Sequence, residues 1–150
     1  MTTSLRNRHQ HILVVFGLIL LLLGLLVGFA IPSFVNPRMG LAAHLQGIMN
    51  GMLLIIISFL WPLLSLSLFW IRLTFWSLLY GTFANLSAVI ISAVTGAGAM
   101  MPIAGGMETN TFVEPLISML LISLSLAMVL ALILIMTGYL RFIRSQTIST

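Results

Sequence analysis

Residues 12–31 read ILVVFGLILLLLGLLVGFAI, twenty residues without a charged side chain, and Pro32 follows them directly. A helix needs about 20 apolar residues to cross the hydrocarbon core of a bilayer. Lipid offers no hydrogen bonds to the backbone, so a run of this kind is predicted to be helical. A signal peptide is the alternative, because Arg6 and Arg8 precede the run, but its apolar region would span only about 7–15 residues. A membrane anchor is therefore the better interpretation.

Three further apolar runs follow along the chain, at about residues 41–64, 73–94 and 112–140. None shows the strict alternation of polar and apolar residues that is typical of a membrane β-barrel. The sequence therefore predicts an all-α membrane protein, a bundle of four transmembrane helices that forms one integral membrane domain over residues 1–150.

The composition excludes several other classes of protein. Of the 150 residues, 61% are hydrophobic and only 5% are charged, whereas soluble domains carry about 25% charged residues. A soluble enzyme and a disordered chain are both excluded. The absence of cysteine excludes a disulfide scaffold and any thiolate metal site. The net charge of +4 comes from six scattered arginines without a lysine, which argues against nucleic acid as a partner.

The arginines predict the orientation of the four spans. Five of them fall on the side that holds both termini, namely Arg6, Arg8, Arg72, Arg141 and Arg144, whereas Arg38 lies on the other side. The positive-inside rule then places both termini in the cytoplasm, in a multi-pass protein of the cytoplasmic membrane. Glu108 and Glu114 both fall on the opposite side, and Glu114 lies at the start of the fourth span, where a carboxylate suits a helix N-terminus.

Several aromatic and histidine side chains fall near the arginine-rich side. We expect Trp61 and Trp70, which flank the second loop, to lie at the membrane interface. We expect His9 and His11 to be solvated near the lipid head groups.

Glycines share one face in each of the first two spans, with GxxxG spacings at Gly24–Gly28 and Gly47–Gly51. Small residues let membrane helices approach closely, so ordinary packing explains the pattern at least in part. Four thin helices leave little room for an internal pocket. We therefore expect a homo-oligomer with any site near a subunit boundary.

His44 is the ionisable residue at membrane depth, and such residues are functional candidates by default. One interpretation is a neutral histidine that bonds a neighbouring carbonyl group. The other is a metal ligand, since a neutral imidazole can enter an apolar site. Gly40, Gly47 and Gly51 share its face and are expected to leave flat space for a planar macrocycle such as haem. Zinc needs three or four ligands, which a lone histidine does not supply.

Three further polar residues are candidates for a site. Asn50 and Asn85 are amides within spans two and three; each either holds helices together or orients a polar group of a substrate. Tyr80 lies one helical turn after Trp76, so its alternatives are aromatic packing, an interface anchor and a role in the site.

Residues 36–51 read NPRMGLAAHLQGIMNG. This stretch resembles the hydroxylaminobenzene mutases and, more distantly, styrene oxide isomerase, with a shared core of a histidine followed six residues later by Asn-Gly. Phe83, Ala84 and Asn85 look like the Trp-Ala-Asn of the epoxide isomerase. The resemblance extends to chain length and to the four spans.

The resemblance implies a trimeric membrane protein with haem b, whose iron acts as a Lewis acid. It implies that His44 is the axial ligand and that Asn50 and Asn85 line the substrate pocket. The isomerase has a substrate-contacting tyrosine shortly after its span-three asparagine, where this chain has Val89 and where Tyr80 is the nearest tyrosine. This departure argues against epoxide chemistry, and the Asn-Pro-Arg-Met run at residues 36–39 favours the mutase side of the family.

The implied reaction converts a small aromatic hydroxylamine into an ortho-aminophenol by intramolecular transfer of hydroxyl, which makes the enzyme an isomerase. Alternatives are the isomerisation of an epoxide to an aldehyde and a non-catalytic b-type haem subunit for electron transfer. An assembly factor or a small transporter is a further alternative, although the spans lack the buried acidic residue that a proton-coupled carrier would need.

Overall fold

The computed structural model describes residues 2–106 and 112–147. Its four long helices are α1 (Thr2–Ala30), α2 (Pro37–Leu60), α3 (Leu68–Thr95) and α4 (Val113–Thr147). Each is long and apolar enough to cross a membrane, and the described residues form no β-sheet. The predicted all-α chain with four membrane-spanning helices is confirmed.

Helix α2 begins four residues before the apolar run that predicted it, because its start is set by capping and not by hydrophobicity. The side-chain oxygen of Asn36 accepts hydrogen bonds from the backbone N–H groups of Arg38 and Met39, at 3.1 and 3.2 Å. Pro37 occupies the first helical position, where a missing N–H costs nothing. The capping fixes the direction in which α2 leaves the loop, and thereby the direction of His44 one to two turns later.

Helix α3 ends at a glycine. Gly96 has a φ of +79°, in the left-handed region, and its N–H donates to the carbonyl oxygen of Ser92. A residue without Cβ adopts this conformation at little cost. The chain then turns back over the end of the bundle through residues 97–106, which include a short 3-10 turn, Pro102–Ala104.

Helices α1 and α2 pack against each other backbone to backbone. A Cβ atom added to Gly47 would lie 2.5 Å from the Cα atom of Gly24, and one added to Gly51 would lie 2.6 Å from the carbonyl oxygen of Gly17. The glycine spacings of both spans therefore serve the contact between α1 and α2. Helix α3 packs on α4. It also contacts α2, and this contact joins the α3–α4 pair to the α1–α2 pair.

The end of the bundle that carries five arginines is more tightly packed than the sequence suggested. Trp61 is fully buried, and His9 is only 9% exposed. The imidazole of His9 stacks on the ring of Phe75, with 4.0 Å between ring centroids. The expected interfacial Trp61 and solvated His9 are thus wrong, because α1 begins well before its apolar run and presses His9 onto α3. Trp70 is 41% exposed, as expected for an interface residue.

Candidate functional site

His44 lies in the second turn of α2, half-buried in the seam with α1. Its Nδ1 atom is 2.8 Å from the carbonyl oxygen of Gly24. The ring lies so close to Gly28 that a Cβ atom there would be 2.7 Å from Nδ1. A carbonyl oxygen can only accept, so Nδ1 carries the proton and donates it. The neutral ring then keeps its free electron pair on Nε2.

This hydrogen bond matches the first interpretation of His44, a neutral imidazole that bonds a nearby carbonyl. It also fits the second. Metal-bound histidines usually donate their other ring N–H to a carbonyl or carboxylate, which fixes the orientation of the ring. Among the described residues, no hydrogen bond involves Nε2, so this atom is the one available to a ligand.

The glycines that share a face with His44 do not leave the open space that the sequence suggested. Helix α1 occupies the space beside Gly47 and Gly51, and a Cβ atom on Gly40 would lie 2.5 Å from the ring of Phe34. The expected flat space is wrong for these three positions. Helix α1 has glycines facing Gly47 and Gly51 and approaches closely there, and Phe34 covers Gly40. A direct contact between them and a cofactor stays a prediction.

The face of α2 beside His44 is exposed. At about 100° per residue, the residues of this face lie about a quarter of a turn around the helix from the imidazole. It consists of exposed apolar side chains, namely Leu41, Leu45, Met49, Met52 and Ile56. A flat apolar group or a second protein chain would find an apolar surface there.

A separate cavity of about 480 Å³ lies between α2 and α3 at the end of the bundle opposite the five arginines. Two amides face it: Asn85 donates through Nδ2 to Oε1 of Gln46, at 3.0 Å. Once this bond is made, the pair retains a second carbonyl oxygen and a second NH₂ group. It can therefore accept from and donate to one small polar molecule.

The remaining walls of this cavity are apolar. They are formed by Met39, Ala42, Val89, Met100, Met101, Pro102, Ile103, Ala104 and Leu121. Val89 lies one turn after Asn85, so the residue that stands in place of the isomerase's tyrosine faces the same space. An apolar cavity with one pair of amides suits a small aromatic molecule with a single polar substituent.

The other two predicted polar residues lie outside the walls of this cavity. Asn50 is 7% exposed, and its Nδ2 atom donates to the carbonyl oxygen of Thr82 at 3.4 Å. Tyr80 is 45% exposed, and its hydroxyl lies 2.6 Å from Oγ of Ser123 on α4. Asn50 holds α2 to α3, and Tyr80 links α3 to α4. Their catalytic roles stay predictions.

Sequence reasoning missed Gln46, although its signal was present. Gln46 is a polar residue within the second span, one turn before Asn50 and therefore on the same side of the helix as Asn50. Its amide is the partner of Asn85 in the structure.

The segment over the cavity is fastened at two points. The carboxylate of Glu114 accepts hydrogen bonds from the backbone N–H groups of Gly98 and Ala99, at 3.0 and 3.2 Å. The Nδ2 atom of Asn36 donates to the carbonyl oxygen of Ala104 at 3.2 Å. Glu114 lies in the first turn of α4 as expected, and Glu108 lies outside the described residues.

The structure does not bring His44 together with the amide pair in one chain. Gln46 follows His44 by two residues, which is about 160° around a helix, and Asn50 is about 120° away. His44 faces α1, whereas Gln46 and Asn50 face α3. A small molecule in the amide cavity is therefore not adjacent to the imidazole of the same chain.

The available donors suit haem better than a bare metal ion. Within residues 2–106 and 112–147, no cluster of three or more His, Cys, Asp or Glu side chains occurs, so a bare cation would lack ligands. Haem brings four nitrogen donors of its own and asks the protein for one imidazole. His44, with Nδ1 engaged and Nε2 free, fits that requirement.

Sequence comparison relates the chain to named isomerases and mutases. A family model described as styrene oxide isomerase matches residues 9–140. The chain is 48% identical over 134 residues to hydroxylaminobenzene mutase HabA of Ectopseudomonas oleovorans, which covers 88% of this chain and 99% of that protein. It is 46% identical over 124 residues to hydroxylaminobenzene mutase HabB of the same organism, which covers 81% of this chain and 76% of that protein. No solved structure gives a significant match.

The family match spans all four helices, including His44, Gln46 and Asn85. The resemblance in residues 36–51 is thereby confirmed. The prediction of an enzyme of the isomerase type, related to the mutases, is confirmed by the names of both relatives. The chain belongs to the styrene oxide isomerase family.

Proposed function

We propose that this chain is a membrane mutase that converts a small aryl hydroxylamine into the ortho-aminophenol. The observation that carries the substrate class is the 48% identity across 99% of a hydroxylaminobenzene mutase. Substrate and product have the same atoms. The N–O bond breaks, a C–O bond forms at the neighbouring ring carbon, and the proton displaced from that carbon goes to nitrogen.

We propose that haem b is the cofactor and that His44 holds it through Nε2. When bound, haem iron supplies a Lewis acid for the hydroxyl oxygen. The chain's own contribution at this point is the hydrogen bond from Nδ1 to the carbonyl oxygen of Gly24, which fixes the tautomer and the direction of the ring.

The amide pair of Gln46 and Asn85 orients the substrate in this proposal. A hydroxylamine group both donates and accepts hydrogen bonds, and the pair retains one acceptor and one donor group for it. The apolar walls of the cavity take the aryl ring and limit the access of bulk water to a reacting cation. Asn50 contacts the same region of α3 and supports the position of Gln46 one turn away.

We propose that the working site forms between copies of the chain, in a homotrimer. His44 and the amide pair lie on different faces of α2, so a reactant that meets both needs a second subunit. The exposed apolar face beside His44 supports such a contact, and the trimer follows from the resemblance to the isomerase.

We propose the cytoplasmic membrane as the location, with both termini in the cytoplasm. The antiparallel order of the four helices brings five arginines to one end. The other end has Arg38 and Glu114, so the distribution supports this orientation.

The first experiment combines a visible spectrum with product analysis. Protein purified in detergent is expected to show a Soret band and to convert hydroxylaminobenzene into 2-aminophenol. In water enriched with ¹⁸O the product is expected to carry no label, because the hydroxyl stays within the molecule. Label from the solvent would contradict intramolecular transfer, and a colourless, iron-free and active protein would contradict the cofactor.

Epoxide isomerisation is the second candidate, since the matching family model bears the name of an epoxide isomerase. Val89 in the cavity wall lacks the hydroxyl that the isomerase presents to its substrate. We therefore expect styrene oxide to be a much poorer substrate than hydroxylaminobenzene for the same preparation. The electron-transfer alternative loses support, because both relatives are named mutases.

A further inference from the structure

A second groove lies between α1 and α3 at the end of the bundle that carries five arginines. It has a volume of about 350 Å³ and is remote from the amide cavity. Its lining includes Arg8 and His9 at one end and Ile12, Phe16, Trp76 and Leu79 along its length. The groove thus has one charged end and one apolar body.

The charged end is strongly positive. Arg8 is exposed, and Arg72 of α3 is within electrostatic range of His9, as Arg8 is. Among the described residues, the sole acidic side chain is Glu114, which lies at the other end and is engaged with the backbone of Gly98 and Ala99. The two guanidinium groups therefore face no carboxylate within the described part of the chain.

His9 adds a buried polar atom to the wall of this groove. Its side chain is nine-tenths buried, and Nδ1 has no hydrogen-bond partner within the described residues. The stacking of the ring on Phe75 satisfies its apolar face but not its nitrogen. A buried polar atom without a partner is unfavourable, so the wall favours an occupant with polar atoms at this end.

The length of the groove matches one leaflet of a bilayer. From Arg8 to Phe16, α1 rises about 12 Å, and one leaflet of the hydrocarbon core is about 15 Å thick. A second copy of the chain is a poor occupant. All copies insert in the same orientation, so a second copy would bring another arginine-rich end to the same level.

We propose that this groove binds an anionic phospholipid from the leaflet on the arginine side. Its phosphate lies between Arg8 and Arg72, and one acyl chain lies along Ile12, Phe16 and Leu79. Basic pockets between membrane helices bind acidic head groups in this way. The inference does not depend on the reaction that the enzyme catalyses.

Fluorescence quenching tests this proposal directly, because Trp76 lines the groove and is 65% exposed. The Trp70→Phe variant is placed in phosphatidylcholine nanodiscs with a low, equal fraction of brominated phosphatidylglycerol or brominated phosphatidylcholine. At low salt we expect the anionic lipid to quench Trp76 with about tenfold higher apparent affinity, as two arginines near a surface allow. Equal quenching by both lipids would overturn the proposal.

Arginine variants separate this groove from a general effect of positive charge. Arg8→Gln combined with Arg72→Gln is expected to abolish the preference, and Arg8→Gln alone serves if the double variant fails to insert. Arg144→Gln removes one positive charge from the same end, as Arg8→Gln alone does, but on α4 and outside the groove, and is expected to keep the preference. An equal loss in Arg144→Gln, or reversal of quenching by inorganic phosphate alone, would overturn the site.

Discussion

His44 shows at the scale of one residue how a neutral histidine is prepared for ligation. The carbonyl oxygen of Gly24 accepts a hydrogen bond from the Nδ1–H group at 2.8 Å, so the free electron pair stays on Nε2. A histidine without such a partner would divide between two tautomers and two ring orientations. The bond therefore acts before any ligand arrives.

We expect His44→Ala to remove the Soret band and to reduce kcat/KM by about 100-fold or more, since even outer partners of metal ligands are worth 10–100-fold. The helices are expected to remain inserted, because the backbone contacts of Gly47 with Gly24 and of Gly51 with Gly17 do not involve the ring. The measurement is a spectrum together with product formation. His11→Ala is the matched control, as His11 is exposed. A variant at residue 44 with an unchanged Soret band would refute the ligand assignment.

The amide pair makes a second prediction at this scale. Gln46→Ala and Asn85→Ala are each expected to lower kcat/KM about tenfold or more, the value of one or two hydrogen bonds to a substrate. Because the two amides bond to each other, the double variant is expected to lose less than the product of both effects. Haem content is expected to be unchanged. Strict additivity would show that the two residues act independently.

Tyr80 gives a contrasting expectation. Its hydroxyl bonds to Ser123 across the α3–α4 seam, away from the amide cavity, so Tyr80→Phe is expected to lower thermal stability by about 1 kcal/mol. Turnover is expected to stay close to that of the unmodified chain. A large fall in kcat at unchanged stability would restore Tyr80 as a catalytic residue.

At the scale of the helices, the contact between α1 and α2 has little tolerance for added atoms. We expect Gly47→Ala to destabilise the protein by about 1–3 kcal/mol, because the new methyl group meets the backbone of Gly24, which cannot turn aside. Gly81→Ala is the matched control. Its methyl group would meet the flexible end of Met128, which can change rotamer. Thermal unfolding in detergent measures both variants, and equal losses would contradict this account.

The helices also show which features of the fold the sequence predicts and which it does not. The apolar runs predicted four helices, since crossing a bilayer depends on length and composition alone. The true start of α2 depends on Asn36, a polar residue that a hydropathy pattern ignores. The sequence further identified the glycine face around His44, but could not tell that Gly24 and Gly17 of α1 fill it. The neighbour of a helix face is a tertiary property.

For the same reason, the predicted surroundings of two residues near the arginine-rich end differ from the observed ones. Average preference places a tryptophan or a histidine beside arginines at the interface, yet Trp61 and His9 are buried against Phe75. Gln46 was overlooked because its role depends on Asn85, which is distant in sequence. The motif positions could be found from the sequence, whereas the partition of the site between two faces of α2 required the fold.

At the scale of the whole molecule, the two faces of α2 lead to a test of subunit cooperation. Chains with His44→Ala supply the amide pair, and chains with Asn85→Ala supply the imidazole. If the site forms between copies, random mixing of the two is expected to restore about one quarter of the normal activity. Co-expression with two affinity tags isolates the mixed oligomers, where about one third of the normal activity is expected because each mixed trimer has one complete site out of three. Mixed oligomers without activity would show that each chain works with its own residues.

Gly24 of α1 contacts two residues of α2, Gly47 and His44. Its missing side chain admits Gly47, and its carbonyl oxygen accepts a hydrogen bond from Nδ1 of His44. A mutation at this one position is therefore expected to have two effects, a lower yield of folded protein and a weaker hold on the proposed haem. A second mutation on α2 that restores the protein would have to correct both the helix packing and the hydrogen bond to His44. Directed evolution of this scaffold should accordingly find residue 24 among the least permissive positions, although it touches no substrate.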